Sequence, residues 1–456
     1  MSILNNALSG ALASQLALSA SSQNIANLQT KGYTRQSAVL SAAAPSAGSN
    51  GAGNGVRVTS LLRFSDSYKT QQLWRTNSDV GARSQTQPYM TQLEQVMGDD
   101  DTNLSSGVDK FFAALNAVAG VDPTSTPLRQ QVVTAGSLLA QRVNSLNNVF
   151  SAQLQSVNQQ RSAIVDSANA SIASIASLNT QIAAANAAGS NASSLIDARD
   201  QAVDSLAGQM ALEVTEQPNG ALNVSLKTGQ SLVLGGVAGK LAVNGGDNQS
   251  FSLSFAGTAF DLDTGKIGGQ LGGLSSYLQD TLKPLQQGVA DIAKQVADKV
   301  NTQLQAGYAM DGSAGKPMFV FNAGSTSNML QVADGFQTAD LAFSGDGSAG
   351  DTGNLQKLVN IKNQSITVTG LGSVLVSDAD TQLVGKLAVD SQQNQAALTT
   401  SQSTRDHATD DWQSTSGVNQ DEEAVNLVEY QNMYQANMKV MSVANALFDA
   451  TLAMMG

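Results

Sequence analysis

The chain has 456 residues, more than one ordinary core accommodates, so two or more domains are expected. Charged residues make up only 13%, the net charge is −12, there is no cysteine, and the single histidine is His407. The acidic balance argues against nucleic-acid binding, and the residue counts exclude disulfides, thiolate chemistry and multi-histidine metal sites.

Helical patterning dominates both ends. Over residues 3–28, Leu4, Leu8, Ala11, Gln15, Leu18, Ser22 and Ile25 step alternately by four and three, which predicts an amphipathic helix with a heptad seam. Thr30-Lys31-Gly32-Tyr33 breaks it, with Gly32 as the expected stop. Residues 42–55, rich in Ala, Ser, Gly and Asn, read as a flexible loop, and Val56, Val58 and Leu61 as a short strand. A second helical block follows over 64–187, with Pro88, Asp99-Asp100-Asp101 and Asp122-Pro123 as breakers and Thr126-Pro127 as a helix start. From there Leu139, Val143, Leu146, Phe150, Leu154, Val157, Arg161, Ile164, Ala168, Ile172, Ile175 and Ile182 keep close to a 3.6-residue period. A single helix of that length would span roughly 90 Å, so the segment is either a spine or a packed hairpin.

Residues 211–262 switch to alternation. Leu212 and Val214, then Pro218-Asn219-Gly220, then Leu222, Val224 and Leu226 predict a hairpin; Phe251, Leu253 and Phe255 alternate with serines. Helix returns at 274–305, mixed structure at 317–378 with strands at Met318–Phe321 and Ile366–Thr369, and helix again from about 380. Asn419-Gln420-Asp421-Glu422 has the form of a capping box. In the last segment Leu427, Gln431, Tyr434, Met438, Met441, Asn445, Phe448, Leu452 and Met455 again step by four and three. The pattern is that of an elongated, multidomain α+β protein. It divides into a helix and loop at 1–60, a long helical body at 61–210, a small β domain at 211–265, a helical segment at 266–310, a mixed domain at 311–378 and a helical region at 379–456.

Catalytic motifs are weak. Gly345-Asp346-Gly347-Ser348-Ala349-Gly350 fits G-x-G-x-x-G, but Asp346 and Asp351 would repel a pyrophosphate, so a plain glycine loop is expected. Gly235-Gly236-Val237-Ala238-Gly239-Lys240-Leu241 misses the P-loop spacing, and Asp261-Leu262-Asp263 lacks the remaining ligands of a calcium loop. His407 has no nucleophile motif beside it. No catalytic residue, cofactor or metal site is expected. No run of 18 apolar residues exists, so no membrane insertion is expected, and the first residues lack the form of a secretory signal peptide.

Two terminal signatures carry a resemblance. Gln23-Asn24-Ile25-Ala26-Asn27-Leu28-Gln29-Thr30-Lys31-Gly32-Tyr33-Thr34-Arg35-Gln36 resembles the N-terminal signature of bacterial flagellar axial proteins, the rod, hook and hook-associated proteins. Ser416 to Leu427, the helix from Tyr430 to Leu452, Leu195-Ile196-Asp197-Ala198-Arg199-Asp200 and Gly268-Gly269-Gln270-Leu271-Gly272-Gly273-Leu274 resemble hook–filament junction members of that family. The resemblance implies a structural, non-enzymatic protein of the flagellum that joins hook to filament, with coaxial terminal helices and outward-facing β domains. It implies secretion through the flagellar export apparatus in an unfolded state. The implied partners are the hook protein, a second hook–filament junction protein, copies of the same chain in a ring, and a cytoplasmic export chaperone on the C-terminal helix. The residues it assigns to axial assembly are Leu4, Leu8, Leu18, Asn24, Ile25, Asn27, Gly32, Tyr33 and Arg35 at one end. At the other they are Leu427, Tyr434, Met438, Met441, Phe448, Leu452 and Met455, several of them shared with the chaperone. A secreted adhesin that binds a host surface through its β domains is the alternative reading.

Overall fold

A computed structural model describes residues 2–44, 53–246 and 249–455. The fold is elongated α+β. Helix α1 (Ser2–Ala26) leads through a turn into an antiparallel hairpin of β1 (Gln36–Ala42) and β2 (Val56–Arg63). The segment expected as a flexible loop falls largely on residues 45–52, outside the described residues.

The body follows with α2 (Ser67–Gly98), α3 (Leu104–Gly120), α4 (Thr126–Ala187) and α5 (Ser193–Gln209). Helix α4 is one unbroken helix of 62 residues, hence a spine of about 93 Å and not a hairpin. Its expected apolar positions Leu139, Val143, Leu146, Phe150, Val157, Ile164, Ala168, Ile172, Ile175 and Ile182 are buried, and Leu154 is half-buried. Two expectations are corrected here. Pro88 lies inside α2 and does not end it; Trp74, Met90, Leu93 and Met97, buried on either side of it, hold the helix together. The N-cap of α4 is Ser125, which moves Thr126 and Pro127 into the first turn, where a missing N–H costs nothing.

Two small antiparallel sheets then pack along α4. The first, in the order β3 (Leu212–Glu216), β4 (Leu222–Leu226), β5 (Ser231–Leu234) and β6 (Val237–Ala238), contains the expected hairpin, with Val214 opposite Val224 and Gly220 at φ 85° in the turn. The second is β7 (Lys240–Asn244), β8 (Ser250–Phe255) and β9 (Thr258–Leu262), with Phe251 and Leu253 inward. Next come α6 (Gly269–Ser276) and α7 (Lys283–Gln305), joined without a break by a π-helical turn, Tyr277–Leu282. Pro284 stands two residues past that turn; it has no N–H to return to the preceding turn, and widening the helix accommodates it. Two short hairpins, β10 (Phe319–Phe321) with β11 (Leu330–Val332) and β12 (Ser365–Val368) with β13 (Gly372–Leu375), flank α8 (Gly353–Asn360). Helix α9 (Ala379–Ser416) runs back along α2, and α10 (Gln420–Met455) pairs with α1.

The low aromatic content leaves the sheets few large anchors, and side-chain amides take that role. Asn144, Asn169 and Asn179 on α4 each donate to a strand carbonyl and accept from the N–H of the same residue: Leu330, Leu241 and Leu222 respectively. On α7, Asn301 does the same with Phe319, and Gln295 with Thr367. Such an amide satisfies a strand edge that would otherwise be left unpaired where it meets the helix. Among the few aromatics, Tyr277 stacks on Tyr89 at 5.8 Å and its hydroxyl donates to Gln153 Oε1 at 2.5 Å. Burial drives the Tyr277 phenol far above its ordinary pKa, so the hydroxyl remains a donor.

Candidate assembly site

Helix α1 contains no charged residue at all. It runs antiparallel to α10: Ser21 and Asn24 meet Glu423 at one end, and Gly10 lies against Asn437 further along. A Cβ on Gly10 would sit 2.6 Å from the Asn437 side chain, so the two backbones approach closely there. The residues of α1 that are buried are small or polar: Ala7, Ala11, Ser14, Ala17, Ser21 and Asn24 along one stripe, with Ala13 and Ala20 beside it. Their spacing is heptad-like, but they are not the leucines that the sequence pattern suggested.

The seam is therefore rotated from its expected phase. Leu4 and Leu8 are exposed, together with Leu12 and Leu16, while Leu18 and Ile25 are half-buried. On α10, Leu427, Tyr434 and Met441 are half-buried in phase with Glu423 and Asn437, and Tyr430 and Ala444 join them. Met438 lies outside that stripe and is exposed. The last turns of α10 run past the first turn of α1. There Phe448 is 65% exposed, Met455 83%, and Leu447, Leu452 and Met454 are also exposed. Small seam residues let the helices touch but bury little area; at about 0.8 kcal/mol per buried CH2, an alanine contributes far less than a leucine.

A polar knot fixes the register of the pair and ties it to the body. Glu423 is 3% exposed; its two carboxyl oxygens accept from Ser21 Oγ at 2.7 Å and Asn24 Nδ2 at 3.0 Å. Asn24 Nδ2 also donates to the carbonyl of Gln36, while its Oδ1 accepts from the Gln36 N–H and, at 2.8 Å, from the Tyr33 hydroxyl. Burial, then the nearby Asp197 and Glu423, push the Tyr33 phenol up to about 12, which keeps it protonated and donating. Between them the chain turns locally: Asn27 accepts from Thr30 through both backbone and side chain, and Gly32, at φ 76°, lies against Gln201 of α5. The helix itself stops at Ala26, six residues before Gly32, the expected stop.

From Thr34 onward the contacts reach the body. The Thr34 N–H donates to Asp197 on α5, and Arg63 at the end of β2 grips Asp197 and Asp200 at 2.8 and 2.9 Å. Burial lifts the Asp197 carboxyl above its usual range against the pull of Arg63. Arg35 pairs with Glu422, stacks over Phe64 at 4.4 Å and donates its N–H to the Ser416 carbonyl. The capping box expected at α10 is thus only half formed. Asn419 accepts from the Asp421 and Glu422 N–H groups, while the Glu422 side chain turns to Arg35. A little further along, Arg405 of α9 holds Asp204 of α5 through two 2.9 Å bonds. Beside the joint, a cleft of about 1380 Å3 opens between the 27–33 turn, α5 and α9, and both tryptophans, Trp74 and Trp412, line it.

Sequence reasoning missed Glu423 as the register pin, because an acidic residue in a first helical turn reads as a dipole partner. It also missed Ser21 and Arg63, whose partners lie far away in the chain. Asp197 stood out only within a segment of family resemblance. In the Gly345–Gly350 loop the Asp346 and Asp351 carboxylates already accept the Ser348, Gly345 and Gly353 N–H groups that a phosphate would need. Among the described residues no three His, Cys, Asp or Glu side chains cluster to hold a metal, and no helix is long and apolar enough to cross a membrane.

Comparison with known proteins agrees with this architecture. Residues 90–319 match the model of the flagellar hook-associated protein FlgK helical domain, and residues 412–454 that of the flagellar basal body rod FlgEFG protein C-terminal region. Flagellar hook-associated protein 1 of Escherichia coli (strain K12) is 27% identical, over 99% of both chains. Its namesake in Bacillus subtilis (strain 168) is 26% identical over 97% of this chain and 96% of that one. The solved structure of the flagellar hook junction protein FlgK from Burkholderia pseudomallei superposes with a TM-score of 0.52 at 28% identity, covering 55% of this chain and 47% of the other. The chain belongs to the flagellar hook-associated protein FlgK family, and its role is structural, in the bacterial flagellum and its motility.

Proposed function

We propose that this chain forms the junction between hook and filament and polymerises through its paired terminal helices, as a ring of copies with the hook protein on one side and a second junction protein on the other. The observation that carries the reading is the outer surface of the α1–α10 pair. Leu4, Leu8, Leu12 and Leu16 on one helix, which carries no charged residue, and Met438, Phe448, Leu452 and Met455 on the other are exposed. An apolar surface of that kind marks an interaction site. In this reading Asn24, Tyr33 and Arg35, with the turn at Asn27 and Gly32, set the angle at which the pair leaves the body. Ile25 and Leu18 fill the edge of the seam, and Leu427, Tyr434 and Met441 its inner face. An export chaperone covers the C-terminal helix before secretion through the flagellar apparatus, and the absence of cysteine removes one covalent obstacle to passage as an unfolded chain.

Removal of residues 445–456 tests this. The α1–α10 seam ends at about Ala444, so the truncated chain keeps its body and its register pin. Cells carrying it are expected to build hooks without filaments and to lose flagellin to the medium. Normal filaments on these hooks would refute the proposal.

A further inference from the structure

The two outward faces of the α1–α10 pair differ from each other, and they are complementary. On the α1 side, Leu12 and Leu16 and the strand residues Val56 and Val58 line a groove, with Arg57 at its rim. The groove is firmly built: the Val56 N–H donates to Ser9 Oγ at 3.2 Å, which anchors β2 along the helix. On the α10 side, Val425 and Val428 form an apolar strip on the face turned away from α1; both are more than half exposed, and Glu429 flanks them. Arg57 and Glu429 are both exposed, and among the described residues neither has an ion-pair partner.

We propose that the occupant of the groove is a second copy of this chain, whose Val425–Val428 strip enters it with Glu429 against Arg57. This rests on the reading that the chain assembles through its terminal pair, and it names the surfaces that meet. Three observations favour a second copy over another partner. The strip and the groove are both apolar, their rim charges are opposite, and they lie on opposite sides of the same two-helix unit. A contact between two different patches is head-to-tail: a growing assembly keeps one free groove at one end and one free strip at the other, so addition continues until a ring closes. A symmetric contact between identical patches would stop at two.

The native chain has no cysteine, so an introduced pair reports alone. Leu16→Cys combined with Val428→Cys, oxidised in assembled flagella, is expected to give a ladder of covalent multimers, and either single variant none. Independently, Arg57→Glu and Glu429→Arg are each expected to weaken self-association roughly tenfold through like-charge contact. Mixing the two variants should restore it, because each then meets an opposite charge on its neighbour. Covalent dimers from one single-cysteine variant would overturn the proposal in favour of a symmetric contact. Filaments attached to hooks with no ladder, and charge variants without effect, would overturn the interface while leaving the junction reading in place. A wild-type chain that never joins hooks would overturn that reading and this proposal together.

Discussion

The body and the terminal pair are both built on long helices, yet they hold together by different means. In the body, α4 buries Leu139, Val143, Phe150, Val157 and Ile172 against surrounding helices and sheets, and its asparagines pin the strand edges. In the terminal pair, α1 buries alanines and serines and turns Leu4, Leu8, Leu12 and Leu16 outward. The same amphipathic spacing thus serves an inner core in one region and an outer surface in the other. A body with large buried side chains is stable alone, whereas a pair joined by small ones depends on what covers its outside.

That contrast can be broken first at the core. Phe150 is 1% exposed in the middle of the spine, so Phe150→Ala is expected to destabilise the body by about 3–5 kcal/mol. Denaturant unfolding measures this. No single seam residue of α1 should approach that value, and an equal effect from Ala11→Gly would erase the distinction.

A second effect concerns pH. Asp380 opens α9; one of its oxygens accepts the Ser105 N–H at 2.7 Å at the start of α3, and the other has no partner. Burial pushes its pKa up from 3.8 to about 6, against the backbone hydrogen bonds that lower it. Because the folded value lies above the unfolded one, the native state holds the proton longer. The contribution to stability is therefore full below 3.8 and is lost as pH rises to about 6. Asp380→Asn keeps the acceptor and removes the charge. The variant is expected to lose that decline, worth at most about 3 kcal/mol, when stability is followed from pH 4 to 7. Parallel curves for wild type and variant would contradict it.

The amide ties are smaller in effect individually. Asn179→Ala leaves the Leu222 N–H and carbonyl without their side-chain partner, at an expected cost of about 1–3 kcal/mol. Local hydrogen exchange in β4 should rise with it. An unchanged β4 would mean that the strand is held by its sheet alone.

These residues also explain what could be read from the sequence. The phase of α4, the hairpin at Pro218-Asn219-Gly220 and the helix from 274 to 305 were legible, because large apolar side chains and turn residues declare their surroundings locally. The amide ties were not, since Asn179 and Leu222 are neighbours only after folding. On α1 the misreading of phase has a specific cause. With no charge on the helix, nothing marks the solvent side, and a leucine stripe facing a partner molecule has the same spacing as one facing an inner core. Small residues mark no phase of their own, yet they permit close approach, as Gly10 against Asn437 demonstrates.

The finest test separates register from adhesion in the terminal pair. Glu423 is the only acidic side chain buried between α1 and α10 among the described residues, and it holds Ser21 and Asn24 at once. Glu423→Ala strands two donors, whereas Glu423→Gln keeps an acceptor for Asn24 and the shape of the site. Neither substitution touches the core around Phe150, so the main unfolding transition should be unchanged in both. Hydrogen exchange in α1 and α10 should be the readout, already faster than in α4 for the wild-type monomer because the seam buries so little. It should increase further in the alanine variant and return most of the way in the glutamine variant. Protection in the wild-type terminal helices equal to that of α4 would show that the pair is stable in isolation, and its outward leucines would then need another explanation.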